Sequence, residues 1–220
     1  FLHLRLFSCL TIQKMKKKYN PSRWIIGILL LLIISAGIYA YCLIFKPFSL
    51  SETAYIYIDK QKNYEEVVEQ LRDKAGLPSE KIFNLLAERM NYPNKIKTGR
   101  YAITNGMTMP DAIRLLRSGN QTPVDITFNN MRTRENLAGR ISQQLMMDSV
   151  TLLNALNDTV TPGIYGFNEF TFIAMFIPNT YEVYWDTGIN NLLDRMKSEY
   201  DAFWNETRRN RAEKIGLTPV

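Results

Sequence analysis

The sequence predicts an α+β protein with a single transmembrane helix near its N-terminus. The first observation is an uncharged apolar run at residues 24–45 (WIIGILLLLIISAGIYAYCLIF), as long as the roughly 20 residues that a helix needs to cross a bilayer. The second is the pattern that follows, in which short β-branched and aromatic segments alternate with segments whose apolar residues recur at helical spacing. We therefore expect strands and helices in one body after the anchor.

Positive charge is concentrated before the apolar run. The net charge is +6, and the six excess cations lie within the first 23 residues, while the chain from Lys46 onward is formally neutral. A neutral body lacks the overall basic character that nucleic-acid binding requires, so we expect no nucleic acid as a partner. Cations on the N-terminal flank predict a cytoplasmic basic segment at residues 15–23 and a body on the outer side of the membrane.

Two features bear on the start of the chain. Met15 opens the sequence MKKKYNPSRW, a typical basic lead-in to an anchor, so we expect residues 1–14 to be upstream translation. The apolar run exceeds the about 7–15 residues of a signal-peptide core and has no clear A-x-A site. An uncleaved anchor is therefore favoured over a cleaved signal peptide.

Cysteine and histidine are scarce. Cys9 and Cys42 lie before or within the apolar run, so no disulfide can cross-link the body. The bulky residues Tyr39 and Tyr41 disfavour lipidation at Cys42. The one histidine, His3, lies before the anchor, which disfavours metal sites and histidine-base chemistry in the body. We expect no metal and no cofactor.

A strand followed by two helices is predicted at the start of the body. After a short linker at residues 46–52 (KPFSLSE), the segment TAYIYI at residues 53–58 has the composition of a strand. Asn63 is a predicted N-cap with Glu66 three residues on, and Ser79 is the predicted cap of a second helix.

A returning strand and one more helix complete this unit. Gly99–Ile103 (GRYAI) predicts the strand. Thr108 and Asp111 predict the start of a helix at residues 112–117, which Gly119 closes.

A similar pattern returns at an offset of 70 residues, over residues 126–156. The alignment has five identities: Ile56 with Ile126, Glu65 with Glu135, Ser79 with Ser149, Asn84 with Asn154 and Leu86 with Leu156. The caps Asn63 and Thr133 also coincide. Two such units could each pair a strand and lay two helices on one face. The alternative is a chance alignment of two capped amphipathic stretches.

Aromatic residues and turn formers dominate the chain beyond Pro162, and no simple period fits them. An amphipathic helix is predicted at residues 189–204. Its apolar stripe consists of Ile189, Leu192, Leu193, Met196, Tyr200 and Phe203. The stripe is core in the simplest interpretation, and a partner surface in a less simple one. Thr218 and Pro219 have the form of an N-cap followed by proline, so we expect a helix to begin there and the chain to be truncated.

Acidic and aromatic residues are the candidates for chemistry on a glycan. Glu169, Glu182 and Asp186 lie in the aromatic segment, and each is more simply a solvated or capping side chain than a general acid. The surrounding aromatics are more simply core than a sugar-stacking surface: Phe172, Phe176, Tyr181, Tyr184 and Trp185.

Three segments resemble one family. KTGRYAITNGMTMPDAIRLLRSG at residues 97–119 is similar to a K-x-G-x-Y strand followed by a G-M-T helix that ends in L-L-x-S-G. FIPNTYEVYWDT at residues 176–187 is similar to an F-P-D-T-Y block, with Asn179 in place of the common aspartate. FWNETRRNRAEKIGLTPV is similar to the approach to a catalytic helix. The chain resembles the YceG-like endolytic murein transglycosylases over nearly all of residues 15–220.

The resemblance implies domains and site residues. It implies a LysM-like subdomain of β-α-α-β order at residues 53–119, and the incomplete N-terminal part of an α+β catalytic domain at residues 120–220. The essential glutamate would follow Val220, so no residue of this chain is assigned a catalytic role. Asn179, Thr180, Tyr181 and Glu182 are expected to shape the substrate cleft. The alternative is that residues 178–181 form a tight structural turn.

The resemblance also implies an activity and a location. The protein would be a peptidoglycan lytic transglycosylase of the bacterial inner membrane, with its body in the periplasm. It would cleave nascent glycan strands to 1,6-anhydro-muramyl ends and so terminate their elongation. Its partners would be glycan strands, the bilayer and peptidoglycan synthases. The alternatives are a non-catalytic membrane-anchored glycan-binding protein and a single-pass scaffold.

Overall fold

The computed structural model describes residues 21–129 and 131–219. The expectations for residues 1–14 and for most of residues 15–23 fall outside that part of the chain. The chain divides between Leu43 and Ile44 into two compact units. Helices and short antiparallel strands are both present, so the α+β prediction is confirmed.

The first unit contains one long helix, α1 (Pro21–Ile44). Its side chains from Trp24 to Tyr41 are exposed on every side of the helix. Among the described residues it is the one helix long and apolar enough to cross a membrane, with a mean hydropathy of 2.5. A helix that is apolar on every side and unburied is typical of a membrane span.

The second unit, which we call the body, begins with a core built on two paired strands. The elements in order are β1 (Ala54–Ile58), α2 (Tyr64–Ala75), α3 (Glu80–Arg89), β2 (Gly99–Ile103) and α4 (Met109–Ser118). Strands β1 and β2 are antiparallel, with Ile56 opposite Tyr101. Alternate strand residues are buried, because successive side chains point to opposite faces. We call this the first core.

The predicted caps Asn63, Thr108 and Gly119 of the first core are confirmed, whereas Ser79 occupies the N-cap position of α3 without a side-chain capping hydrogen bond. Asn63 accepts a hydrogen bond from the Glu65 amide, and Thr108 accepts one from the Asp111 amide. Gly119 ends α4 with a φ of 78°, in the left-handed region that glycine tolerates best. Helix α4 starts before the predicted residues 112–117, because Met109 and Pro110 form a buried first turn.

The prediction of a linker at residues 46–52 is wrong for much of the segment. Phe48 is 1% exposed and belongs to the first core. Its N–H donates to the Met107 carbonyl at 2.8 Å, and its own carbonyl accepts from the Gly106 N–H at 3.0 Å. Burial of an aromatic ring and two backbone hydrogen bonds overcome a composition that resembles a linker. Phe45 and Lys46 are left between α1 and this attachment.

The body continues with a second core around another pair of strands. The elements in order are β3 (Val124–Phe128), α5 (Arg134–Ser142), α6 (Ser149–Asn157), α7 (Thr161–Ile164), β4 (Asn179–Val183), α8 (Ile189–Phe203) and α9 (Glu206–Lys214). Strands β3 and β4 are antiparallel, with Ile126 opposite Tyr181. A 3-10 turn at Phe172–Met175 precedes β4.

Helix α8 confirms the helix predicted at residues 189–204. Its buried side chains are Leu192, Leu193, Met196 and Tyr200, so these four residues of the stripe are core, whereas Phe203 at its end is 38% exposed. Thr218 and Pro219 lie in irregular chain at the end of the described residues, which are too few to contain the helix predicted to begin there.

The repeat predicted from the sequence is confirmed by the order and pairing of the elements. In each core the first strand is followed by two helices and later pairs with an antiparallel strand, although α7 and a 3-10 turn also precede β4 in the second core, and β1 and β3 share one burial pattern. A glutamine binds both backbone groups of one strand residue in each core. Gln70 accepts from the Tyr57 N–H at 3.0 Å and donates to its carbonyl at 2.7 Å. Gln144 does the same for Thr127, at 3.0 and 3.3 Å.

A buried tyrosine on the returning strand also repeats. Tyr101 on β2 donates its hydroxyl to the Lys97 carbonyl, and Tyr181 on β4 donates to the Ile177 carbonyl. Each acceptor lies four residues before its tyrosine. The sequence alignment ended at residue 156 and did not contain this pair. The two sheets are therefore built in the same way.

The two cores meet at the end of β4 within the body. The Trp185 ring contacts the Tyr57 ring edge-on, with centroids 5.0 Å apart. The Asp186 carboxylate accepts hydrogen bonds from the Thr98 hydroxyl at 2.7 Å and the Gln121 amide at 3.0 Å. We call these contacts the junction.

Candidate functional site

The sheet of the second core has one apolar face and one polar face. Its apolar face carries Val124, Ile126, Phe128, Tyr181 and Val183, which are all buried. The opposite face carries Asp125, Thr127, Thr180 and Glu182, and we call it the outer face. The period of two along each strand separates these sets.

The outer face combines hydroxyl and carboxylate groups. Thr127 and Thr180 lie opposite each other, and their hydroxyl oxygens are 2.8 Å apart. Asp125 lies opposite Glu182 in the register. Directly opposed like charges destabilise a strand pair, so this carboxylate pair weakens the sheet rather than stabilising it. Because one hydroxyl donates to the other, the face presents carboxylate and hydroxyl acceptors and one remaining hydroxyl donor.

Three of the four predicted site residues are accessible. Asn179, Thr180 and Glu182 are exposed, and Asn179 begins β4. The Asn179 side-chain oxygen accepts from the Thr180 N–H at 2.8 Å. A ligand on the outer face would therefore meet Thr180 and Glu182 directly, whereas Asn179 has the same strand parity as Tyr181 and lies in register with Phe128.

Tyr181 lies on the other side of the sheet. It is 3% exposed, stacks on Phe128 at 5.4 Å between ring centroids and donates its hydroxyl to the Ile177 carbonyl at 2.5 Å. Burial raises the pKa of its hydroxyl, and the nearby Glu199 carboxylate acts in the same direction. Direct contact of Tyr181 with a glycan does not fit this position. The alternative that residues 178–181 form a tight turn is also wrong, because β4 begins at Asn179.

Two residues of the outer face were absent from the sequence prediction. Asp125 and Thr127 flank Ile126, which the repeat places on buried Ile56. Strand periodicity puts the neighbours of a buried residue on the opposite face. The repeat thus contained the signal that locates them.

The other candidate residues have structural surroundings. Glu169 is exposed, and Asp186 is engaged in the junction. Phe172 and Phe176 are buried core residues, and Trp185 contacts Tyr57, whereas Tyr184 is 54% exposed. Most of these aromatic residues therefore agree with the prediction that they are core residues and not a sugar-stacking surface.

Four carboxyl groups of the body have shifted pKa values, and all four shifts are downward. Asp111, Glu135, Asp148 and Asp158 lie at starts of helices, where hydrogen bonds from hydroxyl and backbone N–H groups stabilise the charged form. A carboxyl group that donates a proton in catalysis needs a raised pKa. These four groups are therefore poor candidates for a general acid. Within the described residues, no group of three histidine, cysteine or acidic side chains could hold a metal ion.

Comparison with known proteins identifies what the chain is similar to. Residues 56–220 match the sequence model of the YceG-like family. The chain is also similar to a crystal structure described as a yceG-like protein from Listeria monocytogenes, with 15% identity and a TM-score of 0.40. That similarity covers 77% of this chain and 61% of the other, so the chain spans less than two thirds of that protein's length. No curated protein matches.

Proposed function

The chain belongs to the YceG-like family, and from that premise we propose that it is the N-terminal part of a membrane-anchored endolytic lytic transglycosylase of peptidoglycan. The observation that carries the proposal is the family match over residues 56–220. The proposed reaction cleaves nascent glycan strands to 1,6-anhydro-muramyl ends and thereby terminates their elongation.

One carboxyl group is sufficient for the proposed reaction. The muramyl 6-hydroxyl attacks the anomeric carbon while an acid protonates the leaving glycosidic oxygen. The same carboxylate then takes the proton of the 6-hydroxyl, so no external water has to be activated. We propose that this group is a glutamate downstream of Val220. The lowered pKa values at Asp111, Glu135, Asp148 and Asp158 are consistent with that assignment.

We propose that residues 53–119 are a LysM-like glycan-binding subdomain. The β-α-α-β order and a separate hydrophobic core support this proposal. Residues 120–220 are then the N-terminal part of the catalytic domain. In this arrangement the subdomain holds a strand while the catalytic part cleaves it.

The outer face is the proposed wall of the glycan cleft in the second core. Thr127, Thr180 and Glu182 can exchange hydrogen bonds with sugar hydroxyls, and Asp125 extends the same row. Asn179, the first residue of β4, has the strand parity of Tyr181 and is not part of this face. Tyr181 supports the face from beneath, because its ring fills the core under the strand.

Anchoring at the inner membrane suits the proposed task. We propose that α1 crosses the bilayer with the N-terminus in the cytoplasm and the body in the periplasm. The chain between Ile44 and Pro47 reaches about 10 Å at ~3.5 Å per residue, compared with about 25 Å for a seven-residue linker. A short connection keeps the enzyme near newly made strands and near the synthases that we propose as partners.

The test is a cleavage assay with the complete product of the gene in detergent micelles. Incubation with nascent peptidoglycan strands should release fragments with 1,6-anhydro-muramyl ends, detected by mass spectrometry. Replacement of the downstream glutamate by glutamine should abolish these ends. Fragments with reducing ends would contradict the proposed reaction, because they indicate attack by water.

A non-catalytic membrane-anchored glycan-binding protein is the second candidate. It is favoured by the presence of two separate hydrophobic cores in the described residues, each with its own antiparallel strand pair. Binding of glycan strands by the complete gene product without any cleavage would support this candidate and exclude the first.

A further inference from the structure

A basic cleft opens on the first core. It encloses about 830 Å³ where the β1–α2 turn, the α3–β2 segment and α4 come together. Five cationic side chains line it: Lys62, Lys95, Lys97, Arg114 and Arg117. Among the described residues, no carboxylate lines it. The body is formally neutral, so this concentration of charge reflects the placement of residues and not the composition.

Three of the five cations are held in position. Lys97 donates its ammonium group to the Ser118 carbonyl at 2.9 Å, and Arg117 donates to the Met90 carbonyl at 2.8 Å. Arg114 donates to the Asp111 carboxylate at 2.6 Å. Side chains that are already ordered lose less entropy when a ligand binds.

Two of the five cations of the cleft have a structural role in the first core. Lys97 and Arg117 neutralise the C-terminal carbonyls of α4 and α3, which is a common use of basic residues at helix ends. Lys62 and Lys95 have no such role, since neither side chain makes a hydrogen bond or ion pair within residues 21–129 and 131–219. Both are exposed at the cleft. These two ammonium groups are therefore available to pair with an anionic ligand.

The geometry favours several spaced single charges over one compact dianion. The cations are distributed around the cleft on three segments of chain, and the helix ends beside it are the C-termini of α3 and α4. Phosphate sites in proteins commonly use a helix N-terminus, whereas the helix ends beside this cleft are C-termini whose last carbonyls already accept hydrogen bonds from Lys97 and Arg117. Separate carboxylates can each pair with one cation.

We propose that this cleft binds a short acidic peptide that carries several carboxylates. A cleft lined by positive charges raises the local concentration of an anionic ligand and increases its association rate. This step rests on the proposed function for the source of the peptide, since the peptide stems of nascent peptidoglycan are acidic peptides that the protein would meet. The first core would then bind the peptide stem as well as the sugar chain.

The test is calorimetric titration of the full chain in nanodiscs of neutral lipid. The probe is a synthetic peptide with three free carboxylates, and its fully amidated form is the comparison. The acidic form should bind at least about tenfold more tightly, and the difference should shrink as salt is raised. Lys95→Glu should weaken binding about tenfold, whereas Lys81→Glu, an exposed lysine on the same core outside the cleft, should have little effect. Arg114→Gln provides a second cleft variant, and thermal melts verify folding of each protein.

Other outcomes overturn the inference. Equal binding of the amidated peptide or equally tight binding of inorganic phosphate would remove the carboxylate assignment. Binding to anionic vesicles that Lys95→Glu abolishes, without peptide binding, would assign the cleft to lipid headgroups. The two proposals fail in different experiments. If the proposed function is wrong, the cleavage assay gives no 1,6-anhydro-muramyl ends, while the titration still shows that this chain binds the acidic peptide.

Discussion

Two glutamine side chains close the open edges of β1 and β3. Each binds the N–H and the carbonyl of one strand residue, so Gln70 and Gln144 replace one pair of contacts that a third strand would provide. Unpaired strand edges invite aggregation, and half-buried backbone groups without partners cost free energy. An amide is suited to this role because it carries a donor and an acceptor side by side.

Gln144→Ala should destabilise the body by about 1–2 kcal/mol, because the N–H of half-buried Thr127 loses its side-chain partner and its carbonyl keeps only the hydrogen bond from Arg140. Chemical denaturation followed by circular dichroism measures the free energy of unfolding. Gln143→Ala is the matched control, since Gln143 is the exposed neighbour, and its effect should stay within about 0.5 kcal/mol. Equal effects of the two substitutions would contradict a specific role for the Gln144 amide.

Residues whose roles depend on local chain geometry were predictable. The caps Asn63, Thr108 and Gly119 act within one helical turn, so the sequence around each contains the whole interaction. The side of the sheet that Tyr181 occupies was not predictable in the same way. It depends on the register between β3 and β4, which pairs residues more than fifty positions apart.

At the scale of elements, the segment after α1 is attached to the first core. Phe48 fills the core, and the backbone from Pro47 to Phe48 pairs with the loop before α4. A seven-residue linker would allow the body to move freely, whereas this attachment leaves two intervening residues.

Phe48→Ala should cost about 3–5 kcal/mol in the free energy of unfolding, since it removes a buried aromatic ring and leaves a cavity. Phe170→Ala is the control, because Phe170 is 81% exposed, and its effect should stay within about 0.5 kcal/mol. Urea denaturation of the two variants beside the unchanged chain gives the comparison. A small effect at Phe48 would show that residues 46–52 act as a linker after all.

Strand β4 lies in the part of the chain where no period was found. The strand has five residues, of which Tyr181 and Val183 are buried, and aromatic core residues precede it without alternation. Its formation depends on β3, which supplies the pairing partner. Short strands of this kind are poorly marked in sequence because their stability comes from packing against neighbours.

At the scale of the whole body, the junction connects the two cores. Asp186 follows β4 of the second core and accepts hydrogen bonds from Thr98 and Gln121, while Trp185 contacts Tyr57 of the first core. Hydrogen bonds to a charged group are among the stronger ones in proteins. The junction is therefore expected to make the two cores unfold together.

Asp186→Ala should lower the free energy of unfolding of the body by about 2 kcal/mol and separate the unfolding of the two cores, because Thr98 and Gln121 lose their common acceptor. Scanning calorimetry should then show a broader or divided transition. Glu169→Ala, at an exposed carboxylate outside the junction, should leave one transition. A single unchanged transition in Asp186→Ala would exclude a coupling role for this carboxylate.

The net charge of the body differs from the charge of its local surfaces. The body is neutral in sum, yet it places five cations in one cleft and two opposed carboxylates on the outer face. The sequence prediction used the sum and found no anion-binding character. Local fields depend on which charges are neighbours, and the sum does not contain that information.

The sequence by itself determined the apolar span, the caps, the repeat of two β-α-α-β units and the resemblance to the YceG-like family. These features depend on short stretches of chain or on the order of residues, so they can be read without coordinates. Tertiary structure alone decided that Phe48 belongs to the core, that Tyr181 lies beneath the outer face and that distant cations share a cleft. Each of these depends on packing between segments far apart in the chain, where burial and register outweigh local preference.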